Sequence, residues 1–335
     1  MAAGGSRRYG PLGFPLPEAV VRHAVELHGE AGRAWLRRLP AIVAECARRW
    51  SLQIGPPFPG LSYNWVAPAI RADGPSTKPA VLKIGHPEDR EFRSEAAALR
   101  HFDGHGAVRL LEADLETPAM LIERIEPGTP LTDLADDAEA TAIAAGVMRR
   151  LRRPAPPDHP FPTVADWAAG FRRHRARFDG TSGPLPAGLF DCAERRFAEL
   201  LASSGEPMLL HGDLHHGNIL AATPGTRAGS GGHPGGSGSP TPWLAIDPKG
   251  VVGEAAYETG ALMRNPMPAL LTIPHLERVL ARRLDQLADE LDLDCGRLLG
   301  WALAQAVLSA GWTVEDGGSD WQPAIVVAET LAGLA

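Results

Sequence analysis

His211-Gly212-Asp213-Leu214-His215-His216-Gly217-Asn218-Ile219-Leu220, followed later by Trp243-Leu244-Ala245-Ile246-Asp247-Pro248-Lys249-Gly250, decides how the rest of this 335-residue chain is read. Met208-Leu209-Leu210 runs into the first segment. Between Leu220 and Trp243 lies a Gly/Ser-rich tract, Thr223 to Pro240, whose composition cannot build a core. Two short apolar strands joined by such a tract predict a hairpin with a long tip. Asp213 and Asn218, five positions apart, sit in a loop just before the first strand, and Asp247 ends the second. A carboxylate opening a tight loop can orient and deprotonate an attacking hydroxyl. An amide oxygen further along, with a second carboxylate from the far strand, can hold a Mg²⁺ that bridges nucleotide phosphates. Phosphoryl transfer needs little more from a protein than such positioning and charge neutralisation. His215 and His216 are open to two readings, as metal ligands or as loop-shaping hydrogen-bonders, and Lys249 as a phosphate contact or an ordinary ion-pair partner.

Upstream, the signals alternate. Residues 17–53 read as helical, with Val20, Val21, Ala24 and Leu27 spaced for one face, until Pro56, Pro57 and Pro59 break the chain. Leu61 to Ile84 reads as a strand pair turning through Asp73-Gly74-Pro75-Ser76. Residues 88–102 are helical again, and 108–113 and 119–123 are two further strands. Pro127-Gly128-Thr129-Pro130 is the candidate domain boundary, and beyond it helical patterns run over 133–151, 188–202, 275–291 and 296–310. By pattern alone the chain is α+β. Only three of its 33 basic residues are lysines (Lys78, Lys83 and Lys249), so a lysine inside the apolar strand Ala80-Val81-Leu82-Lys83-Ile84 marks a place where a compact ammonium is wanted. Trp301 and Trp312 read as core.

A composition of 44% hydrophobic and 22% charged residues suits a chain with a sizeable buried core. The net charge of −7 argues against a nucleic-acid partner. Cys46, Cys192 and Cys295 are too widely spaced for a disulfide framework or a CxxC metal site, which predicts a reducing, cytoplasmic setting. Arg7 and Arg8 are followed by prolines and an acid rather than an apolar stretch, and Leu298–Gly311 is too short to span a bilayer, so no membrane attachment is expected.

HGDLHHGNIL and AIDPKG resemble the catalytic loop and metal-binding segment of the aminoglycoside phosphotransferase superfamily. GLSYNWVAPA, AVLKIG, SEAAALRHFDGHGAVRLLEAD, LIERIEPGTPL and GWTVEDG are similar to its streptomycin 6-kinase and hydroxyurea-resistance kinase branch, in the same order over roughly residues 15–320. The resemblance implies a two-lobed protein-kinase-like fold, with a small N-terminal lobe built on an antiparallel sheet and a larger, mainly helical C-terminal lobe. Residues 1–125 would form the nucleotide-binding lobe with its leading helices, and 126–335 the catalytic and substrate-binding lobe. It implies Asp213 as catalytic aspartate, Asn218 and Asp247 as magnesium ligands, and Lys83 as the lysine that grips the phosphates of ATP. Glu95 would be its partner, with Glu91 one turn away as the alternative. Met120 to Ile125 match the linker beside the adenine, which brings in Glu123 and Ile125. Ser62 to Ala67 stand where a loop covers the phosphates, which brings in Ser62 and Asn64, although no GxGxxG pattern is present.

For the acceptor, the resemblance implies a cationic aminoglycoside, streptomycin at its 6-hydroxyl, which would convert the activity into antibiotic resistance. Acids would face its charges. Glu254 and Glu258 follow the metal segment, and from Gly311 onward the chain has four acids and no lysine or arginine, among them Glu315 and Asp316. Glu254, Glu315 and Asp316 are the acceptor candidates, with His216 beside the catalytic loop. Hydroxyurea or another small alcohol is the alternative acceptor, and the sequence leaves oligomeric state open. Two other classes stand as rivals: a metal-dependent hydrolase built on His211-x-Asp213-x-His215, and an inactive kinase fold used as a binding module. The absence of a GNH[DE] or DxH partner set weighs against the first. The intact Lys83, Asp213, Asn218 and Asp247 set weighs against the second. Neither GxxxxGK[ST] nor a strand-linked GxGxxG appears, which disfavours P-loop and dinucleotide-binding folds.

Overall fold

The structure is a computed structural model that describes residues 16–60, 63–73, 76–223 and 242–334. Ser62, the Gly74-Pro75 turn and the tract at 224–241 lie outside these described residues. The chain divides into two compact units, one of residues up to 103 together with 108–124, the other of 104–107 together with 125–335.

The first unit opens with α1 (Glu18–Arg49), broken by Gly29 in a non-helical conformation. Trp50 caps the helix and Ser51 takes a left-handed backbone, so the helix expected through residue 53 stops short and β1 (Leu52–Ile54) follows. β2 (Trp65–Asp73) and β3 (Ser76–Ile84) pair antiparallel from Trp65 opposite Ile84 to Asp73 opposite Ser76. After α2 (Arg90–Phe102) come β4 (Leu110–Asp114) and β5 (Ala119–Glu123), giving a five-stranded sheet in the order β1-β2-β3-β5-β4. Side chains alternate across a strand. Trp65, Ala67, Ala69, Ala80, Leu82, Ile84, Ala119 and Leu121 therefore share one face, where they form a single core with Val20, Trp35, Leu39 and Val43 of α1. That burial fixes the register, because a slip of one residue would drive Lys83 into the apolar layer. The opposite row, Val66, Lys83 and Met120, is aligned across three strands. Asp89 starts α2 by accepting the backbone N–H groups of Glu91 and Phe92, which sets where the helix begins and hence which of its residues face the sheet.

The second unit begins with β6 (Pro127–Pro130), the segment read as a boundary. It is an edge strand, where proline's missing donor costs nothing, and it pairs with the strand Ile219–Ala222. Then come α3 (Asp137–Leu151), β7 (Arg153–Pro154), α4 (Val164–Trp167), α5 (Ala169–Arg177) and α6 (Ala187–Ala202). β8 (Met208–Leu210), β9 (Ile219–Ala222), β10 (Trp243–Ala245) and β11 (Val251–Gly253) follow. β9 and β10 form the expected hairpin, Ile219 opposite Ala245, while β8 pairs with β11 and β7. Two small three-stranded sheets, β10-β9-β6 and β11-β8-β7, thus flank the 211–218 loop at its two ends. The chain closes with α7 (Thr259–Met263), α8 (Leu276–Leu291), α9 (Cys295–Glu315) and α10 (Gln322–Ala332). Leu280, Leu284, Leu287 and Leu291 line the buried side of α8 at helical spacing. α9 is the apolar segment noticed in the sequence; Trp301 is fully buried in it, edge-on to Phe197 and Tyr257 at 4.9 and 5.1 Å. Among the described residues no helix is long and apolar enough to cross a membrane.

Candidate active site

In the first unit Lys83 and Glu95 are 4% and 6% exposed, and the ammonium lies 2.7 Å from both carboxylate oxygens. The sequence left Glu91 and Glu95 as alternative partners. Glu91 is exposed on the first turn of α2, whereas Glu95, one turn on, faces the sheet and takes the pair. Asn64 is half-buried, and its side-chain oxygen finds no hydrogen-bond donor within the described protein. Gly85 makes room for it, since a Cβ there would lie 3.0 Å from that oxygen and 2.6 Å from the Phe92 ring. At the end of β5 the Glu123 carboxylate accepts the Arg109 backbone N–H at 3.3 Å. Ile125 is buried at the start of the second unit.

In the second unit the 211–218 loop is held from every side. Glu258 is buried, and its two oxygens accept the N–H groups of His211 at 2.6 Å and Gly212 at 3.0 Å. The His211 Nε2–H donates to the Ile246 carbonyl at 2.8 Å, and its Nδ1 accepts the Asp213 N–H at 3.3 Å. Both bonds require the neutral ring, and burial depresses its pKa to about 4. Gly212 adopts φ +84°, and a Cβ there would meet Val251 at 2.8 Å and Trp167 at 3.0 Å, so only glycine fits. The Asn218 side-chain N–H donates to the Asp213 carbonyl at 3.0 Å, while its backbone carbonyl accepts from Ile246. Asp213, Asn218 and the residue preceding Asp247 are thereby tied together. Asp247 is exposed, in a left-handed conformation at φ +58° that places the carboxylate on a bend between β10 and β11. Its field reaches both His211 and His215.

The Asp213 carboxylate is partly exposed, with Arg264 Nη2 3.3 Å from Oδ1 and His215 Nε2 3.8 Å from Oδ2. Burial works to raise its pKa, but Arg264, with His215, Lys249 and His211, carries it below the usual carboxylate range. It is therefore an anion at neutral pH, able to accept a proton from a hydroxyl. Arg264 is itself fixed by a hydrogen bond to Gln305 of α9. His215 shapes the loop, its Nδ1 accepting the Gly217 N–H at 3.1 Å. Asn218's amide nitrogen being spent on Asp213, its oxygen is left as an acceptor; with the Asp247 carboxylate this makes a hard oxygen donor set, the kind that Mg²⁺ takes.

The acceptor-side expectations fare differently. His216 is buried, with neither ring nitrogen hydrogen-bonded in the described protein; burial, and then Arg283, bring its pKa down to about 3. Glu254 faces inward instead of toward an acceptor: Arg297 Nε lies 2.8 Å from both oxygens, and Trp301 and the Gly205 N–H add further bonds. A long carboxylate following β11 meets the arginine one turn into α9, and that pairing locks it under the surface. Glu315 is half-buried and is bound by Arg173 at 2.5 and 3.0 Å. Asp316 is exposed at the C-terminal cap of α9. Trp312, read as core, is partly exposed. The hydrolase alternative loses its ligand set, because both His211 ring nitrogens are committed to the backbone. Among the described residues, the grouping with three close ligand atoms is His28, His86 and Glu88 of the first unit, not the His-x-Asp-x-His run.

Two site residues escaped the sequence reading. In the sequence Glu258 reads only as one more acid after the metal segment, and Arg264 falls in no motif. The available hint was polar residues breaking buried apolar runs, Arg264 after Gly260–Met263 and Gln305 inside α9.

The profile of the aminoglycoside/hydroxyurea antibiotic resistance kinases matches residues 52–317. The chain belongs to that family. It is 33% identical to a streptomycin 6-kinase of Streptomyces griseus over 331 residues, covering 95% of this chain and 97% of the relative. It is 35% identical to a hydroxyurea phosphotransferase of Kitasatospora aureofaciens, covering 98% and 89%. In fold it is similar to a choline/ethanolamine kinase family protein from Mesorhizobium loti, with a TM-score of 0.58 at 14% identity over 88% of this chain and 94% of that one. The protein is accordingly a kinase-like α+β phosphotransferase that acts on a hydroxyl group, and kinases of this kind use ATP with a divalent metal.

Proposed function

We propose that the protein transfers the γ-phosphoryl group of ATP to a hydroxyl of streptomycin, the 6-hydroxyl, and so acts as an antibiotic-resistance kinase of the cytoplasm. The observation that carries this reading is the Asp213 carboxylate, kept anionic beside Arg264 on a loop whose backbone is held by Glu258, His211 and Asn218. Asp213 accepts the proton of the acceptor hydroxyl as its oxygen forms a bond to the γ-phosphorus, and the bond from that phosphorus to the ADP oxygen breaks. Lys83, oriented by Glu95, binds the nucleotide phosphates, and Glu123 and Ile125 border the adenine through their backbone groups. Ser62 and Asn64 are assigned to the phosphates as the family resemblance implies, and the Asn64 oxygen has no donor among the described residues. Asn218 and Asp247 hold Mg²⁺, which when bound neutralises phosphate charge. Asp316, exposed at the end of α9, contacts a cationic group of the acceptor. Of the remaining acids, Glu315 adds negative charge at the same end, while Glu254 supports the site from beneath.

Identity of 33% to a streptomycin 6-kinase over nearly the full length supports this acceptor. The similar identity to a hydroxyurea phosphotransferase, 35%, favours hydroxyurea as the second reading. A coupled assay of ADP release with each compound separates them. The expected result is turnover with streptomycin that falls by orders of magnitude in Asp213→Ala while ATP binding persists. Full activity in that variant would remove the mechanism, and turnover confined to hydroxyurea would replace the acceptor.

A further inference from the structure

Trp35, Trp50, Trp65 and Trp301 are buried, while Trp167, Trp243, Trp312 and Trp321 are partly exposed; of these four, Trp167 and Trp312 stand together, where α4 and the end of α9 meet beside the 211–218 loop. Their rings meet edge-to-face, 5.6 Å between centroids at 86°. Trp167 packs on the loop itself, its Cη2 3.0 Å from where a Cβ on Gly212 would lie, one residue before Asp213. Behind it stands the buried Tyr257 ring, 5.9 Å away. On the other side, Trp312 leans on α5, its Nε1 2.9 Å from where a Cβ on Gly170 would lie. One turn further along α9, Glu315 is held against α5 by Arg173. Both indoles are thus fixed by packing before any ligand arrives, both stay partly exposed, and Trp167 lies against the residue that precedes Asp213, with Trp312 on its edge.

A hydroxyl reaching Asp213 has to come within hydrogen-bonding distance of its oxygens, about 2.6–3.2 Å. The ring that carries the hydroxyl must then touch whatever walls the loop, and one wall is indole. Indole faces attract cations, guanidinium above all, and cover the apolar faces of sugar and cyclitol rings. We propose that Trp167 and Trp312 form an aromatic wall of the acceptor site, on which a guanidinium- or ammonium-bearing ring stacks while its hydroxyl reaches Asp213. This rests on the aminoglycoside reading above. A small uncharged acceptor such as hydroxyurea has no ring to lay on that wall.

The test uses the full-length protein and the variants Trp167→Leu, Trp312→Leu and the conservative Trp167→Phe and Trp312→Phe, with thermal unfolding checked for each. The leucine variants should raise the KM for streptomycin about ten-fold or more, the strength of a partly desolvated cation–π contact. They should leave the KM for ATP and for hydroxyurea within two-fold (roughly, the scatter expected when only packing near a site changes). The phenylalanine variants should recover most of the loss. A merely structural role for the indoles would instead lower kcat with every acceptor alike, and that result overturns the proposal, as does an unchanged KM for streptomycin in a wild type that phosphorylates it. If the wild type phosphorylates another cyclic amine but not streptomycin, the choice of antibiotic fails alone and the same KM comparison on that amine decides the wall. If only hydroxyurea turns over, or if streptomycin leaves the tryptophan fluorescence of the protein unchanged on titration, the wall is refuted.

Discussion

Replacing Glu95 by alanine removes the carboxylate that lies against the Lys83 ammonium between β3 and α2. Both groups are almost fully buried and the ammonium lies 2.7 Å from each carboxylate oxygen, so solvent cannot take the carboxylate's place without opening the packing around Phe92 and Met120. Breaking a buried pair by removing one partner costs about 3–5 kcal/mol. At about 2–4 °C per kcal/mol for a domain of this size class, the expected fall in Tm is roughly 6–20 °C. Removing both charges is different, because two apolar side chains of similar volume do not need each other's charge. Lys83→Met with Glu95→Leu should therefore regain most of the lost stability, to within about 1–2 kcal/mol of wild type. It should nevertheless show little phosphotransfer activity, because the lysine assigned to the nucleotide phosphates is gone. Calorimetric unfolding of the wild type, the single variant and the double variant, alongside ATP titrations, separates the two effects. A Glu95→Ala protein with an unchanged Tm, or a double variant no more stable than the single one, would refute the reasoning from burial.

Glu258 gives a pH prediction. Burial pushes its pKa up to about 7 from an ordinary value of 4.5, against the pull of the Gly212 and His211 N–H groups. A carboxyl that holds its proton more tightly when folded contributes stability that is complete below pH 4.5 and lost as pH rises through about 7. The difference, 7 − 4.5, caps this at about 3 kcal/mol. Denaturant titrations from pH 4.5 to 8 should show wild-type stability falling by up to that amount, on the order of 1–3 kcal/mol, and the isosteric Glu258→Gln variant should flatten the profile; parallel profiles would count against the assignment. Arg264→Met should move the acidic limb of kcat/KM to higher pH, because it removes the nearest charge that keeps the Asp213 carboxyl below its usual range. An unmoved limb in a pH–rate profile would show that Arg264 acts only through packing.

Local rules made much of the fold readable in advance. Ala80–Ile84 reads as an apolar strand carrying one lysine, and in the structure the strand's alternation puts Ala80, Leu82 and Ile84 in the α1 core and the lysine on the other face. The hairpin of β9 and β10 followed from two apolar runs around a tract that cannot pack. A short-range signal can also carry a tertiary use that pattern does not show. Pro127–Pro130, read as a boundary candidate, pairs as an edge strand because β9 supplies the partner. The short helices α4 and α5 went unread because four and nine residues carry too little periodicity to register.

The sequence by itself pointed to Asp213, Asn218 and Asp247 as a set through their spacing around one loop and hairpin, and its resemblance to the family added Lys83 while leaving Glu91 and Glu95 open as the lysine's partner. Only the tertiary structure decided what holds them and what does not join them. Glu258 grips the loop from 47 residues away, Arg264 meets Asp213 from 51, and Glu254 turns from an acceptor candidate into the inward partner of Arg297 and Trp301. Pairings of that kind depend on how distant segments pack rather than on any period along the chain. They become visible only when the burial of each carboxylate, and the cation or N–H group it must therefore find, is known.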